Sequence, residues 1–343
     1  MSDFIFTSQD DSWELAMNEL LSYLSDSELM TWLVRGIGIM RSPLGFSEVS
    51  QQLLKNPPIF TRHIFPLDHV TPINGWESAI AQTISRLRPK SSFNVQVRIL
   101  DPTLYAFSKF DLTQWISEEL QKGGFWPDMQ TPDFIVSIIA YNFAMYIGLS
   151  EPSQNMSSWP GGMRRFARRD DQISRAEFKL LEALEVFSID LSSFSMPEGQ
   201  VQLQALDLGA APGSWSKALA DRDFFVTAVD PANLSPLLKG NKNIVHYPYA
   251  VQKFMSKDKK SYSLIANDMR MDVGNSAKIM VSLAPKLASD GIAVMTFKLP
   301  EKKPLAAMNK GMQILESGYE NLRAKQLFHN RSEITVTGNR KST

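Results

Sequence analysis

The chain has 343 residues, of which 43% are apolar, with 36 basic residues, 36 acidic residues and no cysteine. This length supports two or three domains, and the absence of cysteine excludes disulfides, thiolate metal sites and thiol catalysis. With four histidines and no close histidine pair, no metal site is expected. The apolar stretch 134–149 is interrupted and too short for a membrane span, and the N-terminus does not resemble a signal peptide. We therefore expect a soluble, cytoplasmic protein without a membrane partner.

The charge is balanced overall but divided along the chain. Residues 1–150 hold 10 Lys+Arg and 16 Asp+Glu, a net of −6, whereas residues 151–343 hold 26 and 20, a net of +6. A basic second half favours an anionic partner there. Ordinary variation in composition is the alternative.

The first half alternates strand-like and helix-like segments. Residues 3–7, 30–39 and 59–65 read as strands, and 11–24 and 76–87 as amphipathic helices, which predicts an α+β domain of ferredoxin-like type over 1–88. A strand at 93–99, a helix at 112–120 and a hairpin of 134–140 with 143–149 follow. These strands resemble a THUMP domain, an RNA-binding module, over 89–155. A generic α+β domain is the alternative.

A Ser/Pro/Gly-rich stretch separates the two halves. We expect a linker at 156–173, which carries a cluster of arginines beside aromatic residues. Guanidinium groups suit phosphate contacts, so the cluster predicts RNA contact, although a solvated surface would have the same composition. Its members are Arg164, Arg165, Arg168 and Arg169, together with Arg175 just after the linker.

The segment 203–220 predicts a strand, a glycine turn and a helix, the arrangement with which open α/β sheets bind nucleotide-like ligands. The turn holds Gly209 and Gly213 with Pro212 between them, which departs from the G-x-G-x-x-G pattern of dinucleotide binders. Asp230 follows the next strand, 21 residues after Gly209, where a carboxylate can accept hydrogen bonds from ribose hydroxyls.

Five segments together resemble the FtsJ-type ribose 2′-O-methyltransferases, and most closely their RlmM type, which acts on large-subunit ribosomal RNA. They are SRAEFKL at 174–180, ALDLGAAPGSW at 205–215, NDMR at 267–270, MTFKL at 295–299 and RSEITVT at 331–337. The resemblance implies a Rossmann-like α/β domain at 174–343, with seven strands and the last one antiparallel. We expect the last two strands to include Gln326–His329 and Ile334–Thr337. It also implies S-adenosylmethionine as cofactor, held by Ser174, Gly209, Ala211, Pro212, Gly213, Ser214, Trp215, Asp230 and Asp268.

The resemblance further implies a catalytic tetrad of Lys179, Asp268, Lys298 and Glu333. A ribose 2′-hydroxyl is a weak nucleophile and needs a base aligned with the methyl donor. A lysine can be that base only if its pKa is lowered, and we expect Lys179, held close, to lower the pKa of Lys298.

One position departs from the family pattern. The acid that contacts adenine in many relatives is replaced by Tyr249-Ala250, so we expect Tyr247 or Tyr249, or a backbone amide, to contact the adenine. The function expected overall is an RNA ribose 2′-O-methyltransferase, with ribosomal RNA as its partner. An RNA-binding or ribosome-assembly protein with an inactive methyltransferase fold is the alternative.

Overall fold

A computed structural model describes residues 1–85, 87–88, 90–196 and 201–342. The chain forms two compact units, Met1–Arg164 and Arg165–Thr343. Within the described ranges, no helix combines the length and the apolar character that crossing a bilayer requires.

The first unit begins with a four-stranded antiparallel sheet. Its elements are β1 (Ser2–Thr7), α1 (Trp13–Tyr23), β2 (Glu28–Val34), β3 (Ile37–Ser42), α2 (Phe46–Lys55) and β4 (His63–Pro66). The strand order β2-β3-β1-β4 with a βαββαβ connectivity is that of a ferredoxin-like fold. The predicted strand 30–39 is two strands, because Gly36, with a φ of +79°, turns the chain between β2 and β3.

A five-stranded sheet completes this unit. Its elements are β5 (His69–Pro72), α3 (Trp76–Ile84), β6 (Ser92–Ile99), α4 (Lys109–Lys122), β7 (Trp126–Pro127), β8 (Phe134–Tyr141) and β9 (Ala144–Ser150), in the strand order β5-β9-β8-β6-β7. Because β5 pairs with β9, the second sheet already begins near residue 69, ahead of the division expected at residue 88. The hairpin of β8 and β9 turns at Asn142 and Phe143, which both have positive φ.

The first part of the expected linker packs onto the first unit. Thr7 Oγ1 donates to the Gly161 carbonyl at 2.9 Å, and Gln96 Nε2 donates to the Ser158 carbonyl at 2.8 Å. Buried polar side chains that bond to backbone in this way hold a segment in place. Residues up to Arg164 are therefore part of this unit.

The second unit is a single mixed sheet with helices. Its strands are β10 (Gln204–Leu208), β11 (Phe225–Val229), β12 (Ile244–Tyr247), β13 (Tyr262–Asn267), β14 (Leu287–Lys298), β15 (Tyr319–Lys325) and β16 (Glu333–Arg340). Its helices are α5 (Glu177–Val186), α6 (Ser214–Ala220), α7 (Val251–Met255), α8 (Val273–Leu283) and α9 (Pro304–Leu315). The order β12-β11-β10-β13-β14-β16-β15, with β16 antiparallel to β14, agrees with the expected seven-stranded Rossmann-like fold.

One predicted strand of this sheet is wrong. The strand expected at Gln326–His329 is a loop, and β15 ends one residue before it. The backbone N–H groups of Phe328 and His329 donate to the carboxylate of Glu182, and that of Leu327 donates to Asn330 Oδ1. Since these donors are bonded to side chains, they are not available for a strand ladder.

The parallel strands β10, β11, β13 and β14 end at the same edge of the sheet. Buried apolar side chains of α5 and α6 pack against the sheet, including Leu180, Trp215 and Leu219. In open α/β sheets this carboxyl edge is where ligands bind.

Candidate active site

The four residues of the expected tetrad lie together at this edge and form a closed ring of alternating charge. Lys298 Nζ contacts Asp268 Oδ1 and Glu333 Oε2, and Lys179 Nζ contacts Glu333 Oε1. The ring closes with Lys179 Nζ at 3.5 Å from Asp268 Oδ2. Two cations and two anions therefore balance each other in one cleft.

Strand register fixes three of these positions. Lys298 is the last residue of β14 and lies directly opposite Glu333, the first residue of β16. Asp268 follows β13, the parallel neighbour of β14. Thr296 lies two residues before Lys298 and therefore on the same face of β14. Its hydroxyl donates to Asp268 Oδ1 at 2.6 Å and accepts from Lys298 Nζ at 2.8 Å. Lys298 Nζ thus has three acceptors, as many as an ammonium group has donors.

The carboxylates decide the charge state of Lys179. Burial acts to lower the pKa of Lys179, but the attraction of Asp268 and Glu333 outweighs it, so this pKa is raised. Burial likewise acts to raise the pKa of Asp268, and the attraction of Lys298 and Lys179 outweighs it, so that pKa is lowered. The sequence suggested two ammonium groups that repel each other, whereas in the structure two carboxylates lie between them.

The glycine turn after β10 brings the backbone close to its neighbours. Gly209 has a φ of +73°, and a Cβ there would lie 2.9 Å from Met269 Cα. Gly213 has a φ of +105°, and a Cβ there would lie 2.3 Å from Leu238 Cδ1. Both positions favour glycine for their positive φ, and at Gly209 the backbone of Met269 leaves no space for a Cβ as well. Asp230 holds the turn, because its Oδ2 accepts from the N–H of Ala211 at 3.1 Å.

Three carboxylates line the ends of three adjacent strands: Asp207 on β10, Asp230 after β11 and Asp268 after β13. Asp207 is 1% exposed, and its Oδ2 accepts from Ser216 Oγ at 2.6 Å. Its buried Oδ1 has no hydrogen-bond partner in the described part of the chain. Burial raises the pKa of Asp207 to about 7, and the nearby charges of Asp268 and Asp230 add to this effect. Carboxylates grouped beside a glycine turn fit a nucleoside ligand that carries positive charge.

The segment before α5 is fastened to this turn. Ser174 Oγ and Ser214 Oγ are 2.7 Å apart, and Trp215 Nε1 donates to the Ala176 carbonyl at 2.7 Å. The Trp215 ring is buried in the core. These contacts bring Ser174, and with it the start of the helix that carries Lys179, next to the residues expected to hold the cofactor.

The two tyrosines that we expect near the adenine, Tyr247 and Tyr249, differ in what their rings contact. The ring of Tyr247 packs edge-on against Phe254 with centroids 5.1 Å apart, whereas Tyr249 is partly exposed under Lys253 Nζ, 4.3 Å above its ring. Their contact with adenine stays a prediction.

Some arginines of the cluster contact other side chains of the protein, and others are exposed to solvent. Arg169 Nη2 donates to Glu177 Oε1 at 2.7 Å, a carboxylate that is almost fully buried. The guanidinium of Arg164 lies 4.0 Å from the centroid of the Trp159 ring. The side chains of Arg168 and Arg175 are exposed. The expected RNA contacts of the cluster stay a prediction, and the ion pair of Arg169 gives that residue a structural role.

Several residues were not singled out from the sequence. The exposed Arg270 and Arg331 lie two residues from Asp268 and Glu333. Glu182 lies on α5, one turn after Lys179, and accepts hydrogen bonds from the loop that leads to Glu333. Thr296 was also not singled out, although the sequence pattern could have identified it, because its two-residue spacing from Lys298 puts both side chains on one strand face.

Comparison with known proteins shows which families the chain is similar to. A model of the FtsJ-like methyltransferase family matches residues 172–290. Ribosomal RNA large subunit methyltransferase M of Psychromonas ingrahamii is 33% identical over 208 residues, which cover 57% of this chain and 54% of the relative. The protein of that name from Musicola paradisiaca is 30% identical over 283 residues, 80% of this chain and 75% of the relative. The chain spans about half the length of the first curated relatives that it matches.

Two solved structures align with the chain at lower similarity. TrmN from Thermus thermophilus has a TM-score of 0.39 and 13% identity, covering 99% of this chain and 100% of its own. A fibrillarin pre-rRNA processing protein from Methanococcus jannaschii has a TM-score of 0.37 and 14% identity, covering 61% and 84%.

Proposed function

The chain belongs to the ribosomal RNA large subunit methyltransferase M family, and we propose that it transfers a methyl group from S-adenosylmethionine to a ribose 2′-hydroxyl of large-subunit ribosomal RNA. The observation that carries this proposal is the closed ring of Lys179, Asp268, Lys298 and Glu333 at the carboxyl edge of the sheet. Such a ring can accept a hydroxyl proton when one of its lysines is neutral, because that lysine then becomes an ammonium group held between two carboxylates.

The cofactor would lie over the glycine turn. When bound, it supplies an electrophilic methyl carbon on a positively charged sulfur. The backbone at Gly209, Ala211, Pro212, Gly213 and Ser214 would surround it. Asp230 would accept from its ribose hydroxyls, since each carboxylate oxygen has a second lone pair beyond the one that holds the turn. The carboxylate of Asp268 would attract its positive charge, and Ser174 and Trp215 would hold the neighbouring segment in place.

Lys298 is the proposed base. A lysine can accept a proton only when it is neutral, so Lys298 must first release one ammonium proton to solvent, and a further positive charge beside the ring favours that release. Asp268, Thr296 and Glu333 orient the Lys298 amine, which then takes the proton of the 2′-hydroxyl. Lys179 remains a cation between two carboxylates, and its attraction helps to keep Asp268 charged. Alignment of the hydroxyl with the methyl donor supplies the remaining rate enhancement.

The RNA would contact the exposed arginines around the ring. Arg168 and Arg175 precede Lys179, and Arg270 and Arg331 flank Asp268 and Glu333. Guanidinium groups on several sides of the ring could bind the phosphates next to the target ribose. Arg164 and Arg165 remain candidates for further phosphate contacts. Arg169 is the weakest candidate of the cluster, since its charge is already paired with Glu177.

The test is methyl transfer from labelled S-adenosylmethionine to ribosomal RNA of cells that lack this gene. We expect Lys298→Ala to lower the rate by about 10²–10⁴-fold, the range for loss of a general base. The control is Lys278→Ala, an exposed lysine on α8. Binding of S-adenosylhomocysteine, measured by calorimetry, should be similar in all three proteins.

The labelled product decides the reaction class. Nuclease digestion and chromatography should give a 2′-O-methylated nucleoside from one site in the large-subunit RNA. A methylated base, or equal incorporation by wild type and Lys298→Ala, would contradict the proposal. Binding of cofactor and RNA without any transfer would instead support the inactive assembly protein.

A further inference from the structure

Four aromatic rings form a continuous strip on the surface of the first unit. The rings of Phe143 and Tyr105 are 5.9 Å apart, those of Tyr105 and Phe107 are 5.2 Å apart, and those of Phe107 and Trp115 are 5.4 Å apart. We call Tyr105, Phe107, Trp115 and Phe143 the aromatic strip. It extends from Phe143 at the tip of the β8–β9 hairpin, across the loop between β6 and α4, to Trp115 on α4.

The strip is anchored in the middle and open at both ends. Tyr105 and Phe107 pack against the apolar core of the second sheet, and the Tyr105 hydroxyl accepts from the N–H of Phe143 at 3.1 Å. Trp115 is 41% exposed and Phe143 is 54% exposed. Leu104 in the loop and Phe110 in the first turn of α4 are exposed as well. Grouped exposed apolar side chains of this kind mark an interaction surface.

The segment that carries most of the strip is acidic. Residues 101–122, which form the loop before α4 and α4 itself, contain four Asp+Glu and two Lys+Arg, a net of −2. On α4, Trp115 has Asp111 one turn before it, and Glu118 and Glu119 one turn after it. One of the two bases, Lys122, is paired with Glu119 at 2.9 Å. A phosphate backbone laid along these rings would meet net repulsion, so single-stranded RNA is a poor fit despite the rings.

We propose that the aromatic strip docks a basic protein segment rich in arginine. The guanidinium plane of arginine stacks on aromatic faces and pairs with carboxylates, so one side chain can use both features of this surface. Lysine uses the carboxylates but stacks less well. Rigid, anchored rings lose little conformational freedom on binding, which favours them as contact residues. This inference does not depend on the proposed methyl transfer.

The test measures binding of a fluorescently labelled peptide of four Arg-Gly repeats to the full chain, by anisotropy at ~150 mM salt. The test variant combines Trp115→Ala with Phe143→Asn, since asparagine tolerates the positive φ at residue 143. The control variant is Trp126→Ala, an exposed tryptophan of the same unit outside the strip. Circular dichroism shows whether each variant is folded.

We expect the test variant to weaken peptide binding about tenfold, the loss of two cation–π contacts, and the control to bind as wild type does. A Lys-Gly peptide of the same length should bind several-fold more weakly than the Arg-Gly peptide. Absence of Arg-Gly binding, or equal loss in the two variants, would overturn the proposal. Binding of a 12-nucleotide uridine oligomer that is lost only in the test variant would replace it with an RNA-stacking surface.

Discussion

The buried carboxyl group of Asp207 makes the stability of the second unit depend on pH in a specific direction. Burial raises its pKa from 3.8 to about 7 in the folded protein. Between these two values the folded state holds a proton that the unfolded chain has released. The free energy of unfolding therefore falls as pH rises from about 4 to about 7, and the contribution of Asp207 to stability is lost over that window.

The size of this effect follows from the pKa difference. Each pKa unit corresponds to about 1.4 kcal/mol, so a shift from 3.8 to about 7 corresponds to roughly 4 kcal/mol. Asp207→Asn removes the titration but keeps an oxygen that can accept from Ser216 Oγ. We expect the free energy of unfolding of the variant, minus that of wild type, to increase by about 4 kcal/mol between pH 4 and pH 8. A constant cost of burying the amide would cancel in this comparison.

The assay is urea unfolding at several pH values, followed by hydrogen exchange of residues 204–208 so that only the second unit is measured. Asp223→Asn is the matched control, since Asp223 is exposed and its positive φ of 63° suits asparagine. Parallel curves for wild type and Asp207→Asn across this pH range would refute the reasoning, because the buried group would then not titrate differently in the two states.

Further outcomes are expected. Arg169→Ala should lower the free energy of unfolding by about 1–3 kcal/mol in urea titrations, because it leaves the buried carboxylate of Glu177 unpaired, and it should leave the KM for RNA unchanged. Arg331→Ala should instead leave the free energy of unfolding unchanged and raise the KM for RNA several-fold, with kcat unchanged. Gly213→Ala should weaken S-adenosylhomocysteine binding in calorimetry more than tenfold, since the φ of +105° is strained for any residue with a Cβ and the turn would have to change its backbone. Glu182→Gln should lower single-turnover kcat several-fold, because the loop before Glu333 loses an acceptor, and unchanged kcat would show that this loop does not position the ring.

Much of the second unit follows from local sequence. The run of apolar residues ending at Asp207, the glycines at 209 and 213 and the short helix after them lie within one strand–turn–helix, where neighbours in sequence are neighbours in space. The predicted helix 214–220 agrees with α6 for this reason. The strand predicted at 326–329 is wrong because the N–H groups of Phe328 and His329 bond to Glu182, which is 146 and 147 residues away in sequence. No local sequence pattern contains such a partner.

The sequence by itself determined which residue types are present for the chemistry: two lysines, two acids and a glycine turn, in the order of a known family. Only the tertiary structure decided how their charges interact. Strand register sets Lys298 opposite Glu333, and the parallel pairing of β13 with β14 brings in Asp268. A carboxylate therefore lies between the lysines on each side of the ring, and the pKa of Lys179 rises instead of the two cations repelling each other. Electrostatic energy depends on distance and burial, and neither is written in the order of residues along a chain.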